Sequence, residues 1–134
     1  MKGPDFVKTP AKEGDAAPAR VTGWRHFFAA ASFSLGGLER LWCETAFRHE
    51  VLFGGLLLPV YIALGARPVE ILIYGILFVL LIAVEALNTA IEVIVDRVSP
   101  EWSEAAKHAK DLGSLAVMCM LLAHGMVLLW VVFG

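Results

Sequence analysis

Beyond residue 50 the chain alternates long apolar runs with short charged ones. Residues 51–66 (VLFGGLLLPVYIALGA) carry no charge over 16 positions, and Arg67-Pro68 ends the run. Residues 71–84 (ILIYGILFVLLIAV) are apolar over 14 positions, and a helical pattern then continues through Glu85 to about Val98. Residues 112–134 form a third run of 23, interrupted only by Ser114 and His124. About 20 apolar residues cross a bilayer core, so the pattern predicts three spans, at about 47–66, 70–98 and 110–133. Pro59 is compatible with the first, because neighbouring helices in a membrane can satisfy the carbonyl it frees. Upstream, Leu38, Leu41, Trp42 and Phe47 recur at near-helical spacing among Arg25, Glu39, Arg40, Glu44, Arg48 and Glu50. This predicts an amphipathic surface helix over about 21–46, which Gly36-Gly37 is expected to break or hinge. Residues 1–20, with three prolines and no apolar period, read as a disordered cytoplasmic tail, and nothing in them resembles a signal peptide.

Composition supports that reading. Of 134 residues, 58% are hydrophobic and 18% charged, with a mean hydropathy of +0.70. Soluble domains are about 45–50% apolar and about 25% charged, so the excess here belongs against lipid. The fold class is therefore an all-α membrane protein. The net charge of −2 excludes nucleic-acid binding driven by bulk positive charge. Cys43 and Cys119 are too far apart in sequence to suggest a zinc motif or a disulfide framework.

Seven cations precede the first span (Lys2, Lys8, Lys12, Arg20, Arg25, Arg40, Arg48), and three lie between the second and third (Arg97, Lys107, Lys110). Only Arg67 lies between the first and second. The positive-inside rule then places the N-terminus in the cytoplasm and Gly134 outside.

The informative segment is EALNTAIEVIVDR, residues 85–97. Glu85, Asn88, Glu92 and Asp96 sit near 0°, −60°, −20° and +20° at about 100° per residue, so they share one stripe. A carboxylate at the centre of a membrane helix costs about 2.5–3.5 kcal/mol on insertion scales, which makes it a functional candidate. The stripe could be a polar seam between helices, a proton or ion relay in a small transporter, or a metal-and-phosphate site. Like-charged carboxylates on one face repel each other, which argues against the seam. A di-iron site is excluded because the stripe lacks Glu-x-x-His.

Two further clusters favour phosphate chemistry. In PEWSEAAKHAKDLGS (residues 100–114), Lys107, Lys110, Asp111 and Ser114 share a helix face. In ETAFRHE (residues 44–50), Glu44 and Arg48 are expected to pair at i, i+4. Carboxylates for Mg²⁺, cations for phosphate and one carboxylate as base make a phosphoryl-transfer inventory. No Gly-rich phosphate loop or protein-kinase motif is present.

EALNTAIEVIVDR followed by AKHAKDLGS, with ETAFRHE upstream, resembles the prokaryotic integral-membrane diacylglycerol kinase family over about residues 24–134. The resemblance implies three transmembrane helices plus an amphipathic surface helix, assembled as a homotrimeric bundle with shared active sites. It implies transfer of the γ-phosphate of MgATP to the diacylglycerol hydroxyl, giving phosphatidic acid, at the bacterial inner membrane. Residues 21–134 would be the kinase domain. Related members phosphorylate undecaprenol, and NTAIE with AAKHAKD resembles that type, whereas AFRHE, VDR and KDLGS resemble the diacylglycerol enzymes.

By position, the resemblance makes Glu85 the catalytic base and Glu44 and Glu92 the Mg²⁺ ligands. Arg25, Glu101, Trp102, Ser103, Lys110 and Asp111 would complete the nucleotide site. Arg25, Phe47, Arg48, His49, Glu50, Glu85 and Ser114 would bind the lipid, with Asn88 and Asp96 in support. Ser34 stands one residue further from Arg25 than in the family.

Overall fold

A computed structural model describes residues 24–134, with side chains from residue 31 onward; the expected tail at 1–20 lies outside the described residues. The described chain folds into four helices: α1 (Trp24–Trp42), α2 (Thr45–Ala63), α3 (Pro68–Val98) and α4 (Glu104–Phe133). The last three are long and apolar enough to cross a membrane, so the three expected spans are present.

Local chemistry sets the boundaries, and one differs from the sequence reading. Gly36-Gly37 does not break α1, which runs through both residues. A glycine inside a helix costs only about 1 kcal/mol relative to alanine, and it keeps its backbone hydrogen bonds. The helix stops instead at Cys43 and Glu44, whose N–H groups donate to Arg40 O (3.2 Å) and Leu41 O (2.9 Å) in a tightened last turn. Glu44 then turns extended (φ −79°, ψ 131°) and caps α2. α4 starts at Glu104, ahead of the span expected from about 110, because Ser103 Oγ accepts the N–H of Ala106 at 3.2 Å. A serine N-cap satisfies an otherwise orphaned donor, and it draws Lys107, Lys110 and Asp111 into the helix.

The turn between α2 and α3 is short. Gly65 has φ +73°, a left-handed conformation that glycine adopts without steric cost. Pro68 opens α3 at its first position, where no N–H is needed. The Arg67 N–H and guanidinium both donate to the Glu70 carboxylate (2.6 Å and 2.9 Å).

α3 is the central element. It packs along α4 over much of its length, and α2 packs on it more sparingly. Two close approaches fix these pairings. Gly54 of α2 leaves room only for the Phe78 ring, and Gly113 of α4 lies directly against the Asn88 side chain. Tyr74 joins all three spans: its hydroxyl donates to Gly54 O of α2, and its ring stands edge-on to His124 of α4 at 5.9 Å. Tyr61 packs against it from α2 at 4.9 Å. Leucines such as Leu56, Leu72 and Leu122 point outward, as lipid-facing residues do.

Candidate active site

The polar stripe of α3 is divided by its surroundings. Glu85 (4% exposed) and Asn88 (9%) are buried, Glu92 is half-buried and Asp96 is exposed. The Asn88 amide donates to Glu92 Oε1 at 3.3 Å. Asp96 reaches across to α4, where Lys110 Nζ lies 2.5 Å from its carboxylate. Thus the deep half of the stripe faces other helices and the shallow half joins the charged helix start.

A pocket of about 230 Å³ opens beside the deep half. Glu44, Ala46 and Glu50 of α2, Glu85, Asn88, Thr89 and Glu92 of α3, and Ser114 and Val117 of α4 line it. Four carboxylates therefore face one small space, and among the described residues no lysine or arginine lines it. Two polar atoms of lining residues, Glu50 Oε2 and Asn88 Oδ1, are buried with no hydrogen-bond partner among the described residues, and Asn88 Oδ1 is the atom packed against Gly113.

A second cleft, of about 450 Å³, lies at the α3–α4 connection. Its lining includes Asp96, Glu101, Trp102, Ser103, Lys107, Lys110 and Asp111. Lys107 pairs with Asp111 at 2.9 Å, and Trp102 is 82% exposed. Lys110 thus stands between the two groups, joined to the stripe through Asp96.

A third groove, of about 480 Å³, is mainly apolar and runs between α2 and α4 over Phe78 and Leu81 of α3. Ala46 and Glu50 line both this groove and the carboxylate pocket. His49 lines it as well.

The expected Glu44–Arg48 pair does not form. Arg40 Nη1 lies 2.5 Å from Glu44 Oε1, and Arg48 donates to Thr45 Oγ1 at 3.0 Å. The reason is the break at Cys43-Glu44, which leaves Glu44 as the cap of α2, one turn beyond Arg40. Phe47 is 1% exposed and stands edge-on to Trp42 at 6.2 Å; it lines none of the three spaces. The Arg25 side chain lies outside the described residues.

Among the described residues no three His, Cys, Asp or Glu side chains converge closely enough to form a metal cage. Mg²⁺ needs no such cage: one or two carboxylates usually hold it together with substrate phosphates and water. Glu44, whose carboxylate also pairs with Arg40, and Glu92 line the same pocket and offer hard oxygen donors of the kind that requirement calls for.

Several residues of this architecture carry no motif. Tyr74, Tyr61 and His124 are single polar or aromatic residues within apolar runs. The only signal available for His124 was its position as an interruption in the third run.

Residues 32–132 match the family described as prokaryotic diacylglycerol kinase. The chain belongs to that family. It is 49% identical over 129 residues to a diacylglycerol kinase of Sinorhizobium sp, covering 96% of this chain and 94% of the relative. It is 38% identical to the diacylglycerol kinase of Haemophilus influenzae, covering 81% of this chain and 92% of the relative. It is also 38% identical to that of Escherichia coli K12, covering 85% and 97% respectively. The chain is thus a helical membrane protein and an ATP-dependent lipid kinase of the family.

Proposed function

We propose that the carboxylate pocket is where this chain transfers the γ-phosphate of ATP to the hydroxyl of diacylglycerol, giving phosphatidic acid. The observation that carries this reading is the continuity between the pocket and the apolar α2–α4 groove through Ala46 and Glu50. A lipid lying with its chains in that groove brings its hydroxyl to the deepest carboxylate, Glu85.

Glu85 then accepts the hydroxyl proton as the oxygen attacks the γ-phosphorus and the bond from that phosphorus to the β,γ-bridging oxygen breaks, so that ADP leaves. A base must lie within hydrogen-bond reach of the proton it removes, and Glu85 is the most buried carboxylate facing the pocket. Asn88 holds Glu92 by its amide hydrogen bond. Glu44 and Glu92 are the residues that would hold Mg²⁺, which would neutralise developing charge on the phosphates. The cleft of Glu101, Trp102, Ser103, Lys110 and Asp111 takes the nucleotide, with the Lys110 ammonium directed to phosphate.

In this reading both the nucleotide cleft and the cation-rich start of the chain face the cytoplasm, where ATP is, and the α2–α3 turn lies outside. Active alkaline phosphatase fused after Gly134 is the expected result; inactive phosphatase there, with an active cytoplasmic reporter, overturns the orientation. The subunits form a homotrimer, whose neighbours cover the outward faces of the spans nearest the charged stripe. Mixed oligomers of Glu85→Gln and Lys110→Met subunits are expected to regain part of the activity that each variant lacks. Persistent inactivity in verified mixed oligomers would argue that each subunit works alone.

The primary test is transfer of radiolabelled γ-phosphate from ATP to dioleoylglycerol by the purified protein. The Glu85→Gln variant is measured alongside. Label in phosphatidic acid that depends on Glu85 is the expected result, and turnover unaffected by the substitution refutes Glu85 as base.

A further inference from the structure

Thr89 lines the carboxylate pocket and is 6% exposed. A buried threonine inside a helix ordinarily returns its hydroxyl to a carbonyl oxygen one turn back, here that of Glu85. In this structure the Thr89 hydroxyl makes no hydrogen bond among the described residues. Nor is its oxygen one of the unpartnered atoms that the protein seals off completely, which are Glu50 Oε2, Asn88 Oδ1 and His124 Nε2. The hydroxyl therefore keeps surface open to the pocket that the residue lines.

The pocket is short of donors. Its lining holds Glu44, Glu50, Glu85 and Glu92 and, among the described residues, no lysine or arginine. Ionised carboxylates only accept, and the Asn88 amide is engaged with Glu92 Oε1. Two hydroxyls remain, Thr89 on α3 and Ser114 on α4. Ser114 is exposed, whereas Thr89 is buried, and a donor is worth more where the local dielectric is low. Position along α3 singles out Thr89 as well. At about 1.5 Å per residue, it lies about 6 Å beyond Glu85 and about 4.5 Å short of Glu92. At about 100° per residue, all three fall within about 60° of one another around the helix. With the lipid hydroxyl at Glu85 and the nucleotide phosphates on the Glu92 side, the group in transfer passes beside Thr89.

We propose that Thr89 is a further catalytic residue, its hydroxyl donating to a non-bridging oxygen of the γ-phosphoryl group as that group moves from ATP to the lipid. The proposal rests on the phosphoryl-transfer reading of this pocket. In that step the lipid oxygen bonds to the γ-phosphorus, and the bond to the β,γ-bridging oxygen breaks. ADP leaves with the electron pair and Glu85 takes the lipid proton. Thr89 gives up no proton and forms no covalent bond. Its hydrogen bond offsets the repulsion between the phosphoryl oxygens and the surrounding carboxylates.

The test is steady-state kinetics of Thr89→Val and Thr89→Ser with ATP and dioleoylglycerol in detergent micelles. Valine keeps the shape and removes the donor, whereas serine keeps the donor. In Thr89→Val kcat is expected to fall at least about tenfold, as on losing one hydrogen bond to a charged group. Both KM values should stay within about twofold of wild type, because the interaction is made in the transition state. Thr89→Ser should stay close to wild type. The melting temperature of Thr89→Val should be at or above that of wild type, since burying an unbonded hydroxyl is unfavourable. A Thr89→Val rate within about threefold of wild type, or a Thr89→Ser rate as low as that of Thr89→Val, overturns the proposal. So does a raised KM with unchanged kcat, which would leave the hydroxyl on bound substrate alone. Should Thr89→Val fail to fold, Thr89→Ser is set against Thr89→Ala, a pair that differs by the hydroxyl only. A kcat ratio of at least about ten is then expected, and one within about threefold overturns the proposal. No transfer to dioleoylglycerol by the wild-type protein, or turnover indifferent to Glu85→Gln, overturns instead the reading of the pocket beneath it.

Discussion

Glu70 and Glu85 stand on the same helix and are buried to nearly the same degree, 7% and 4% exposed, yet they are opposites. Glu70 sits in the first turn of α3 and accepts from both the backbone N–H and the guanidinium of Arg67. Its charge is matched at the helix N-terminus, where the macrodipole also favours an anion. Glu85 lies in the middle of the helix and forms no ion pair among the described residues. Glu50, Glu92 and Glu44 face the same pocket. A buried carboxylate with a cation stabilises a structure; one held among other carboxylates is available for chemistry. The difference lies in the neighbours.

The largest expected effect tests the Glu85 side of this contrast. Glu85→Gln removes a base without changing shape, so turnover should fall by about 10²–10⁴ while the melting temperature stays close to wild type. A variant that retained more than a tenth of the rate would show that the proton leaves by another route. Next come Glu44→Gln and Glu92→Gln. Each should raise the Mg²⁺ concentration needed for half-maximal rate by at least about tenfold. The double variant should be little worse than the poorer single one, because ligands of one ion act as a unit. Strictly additive effects at saturating Mg²⁺ would separate their roles.

A smaller effect is expected at the seam between α3 and α4. Gly113→Ala would drive a methyl group into the Asn88 side chain, and overpacking of this kind costs about 1–3 kcal/mol. Asn88 would have to turn, loosening its hold on Glu92, so the Mg²⁺ dependence should shift together with thermal stability. Stability lost with an unchanged Mg²⁺ response would restrict Asn88 to packing. The smallest effect on catalysis should come from Glu70→Gln. It weakens the start of α3 and should lower the melting temperature by a few degrees, with kcat and both KM values close to wild type. A selective loss of kcat would break the contrast drawn above.

The three spans were legible because each apolar run approaches bilayer length, and the stripe was legible because its four polar residues keep helical period. Glu85, Glu92, Asn88 and Ser114 line one pocket, while the pairing of Lys110 with Asp96 across two helices was not among the contacts read from the sequence. Other features depend on distances that no local pattern encodes. The pairing of Glu44 with Arg40, and not Arg48, follows from a helix end that nothing marks in sequence, since Gly36-Gly37 offers a stronger apparent break. The meeting of Tyr74, Gly54 and His124 joins residues of three helices, and each alone reads as an ordinary member of an apolar run. Phe47 reads as a lipid contact by position, but its ring is enclosed beside Trp42.

The short α2–α3 turn has a consequence for how the protein enters the membrane. Only four residues, 64–67, separate the two helices, and Gly65 gives the sharp bend. In the orientation proposed above, this tip must cross the bilayer during biosynthesis. It carries one cation, Arg67, and the nearby Glu70 neutralises it within the same turn. A helical hairpin can thus be handed into lipid as one unit with almost no net charge at its leading end. The contact that caps α3 in the finished protein also lowers the electrostatic barrier to making it.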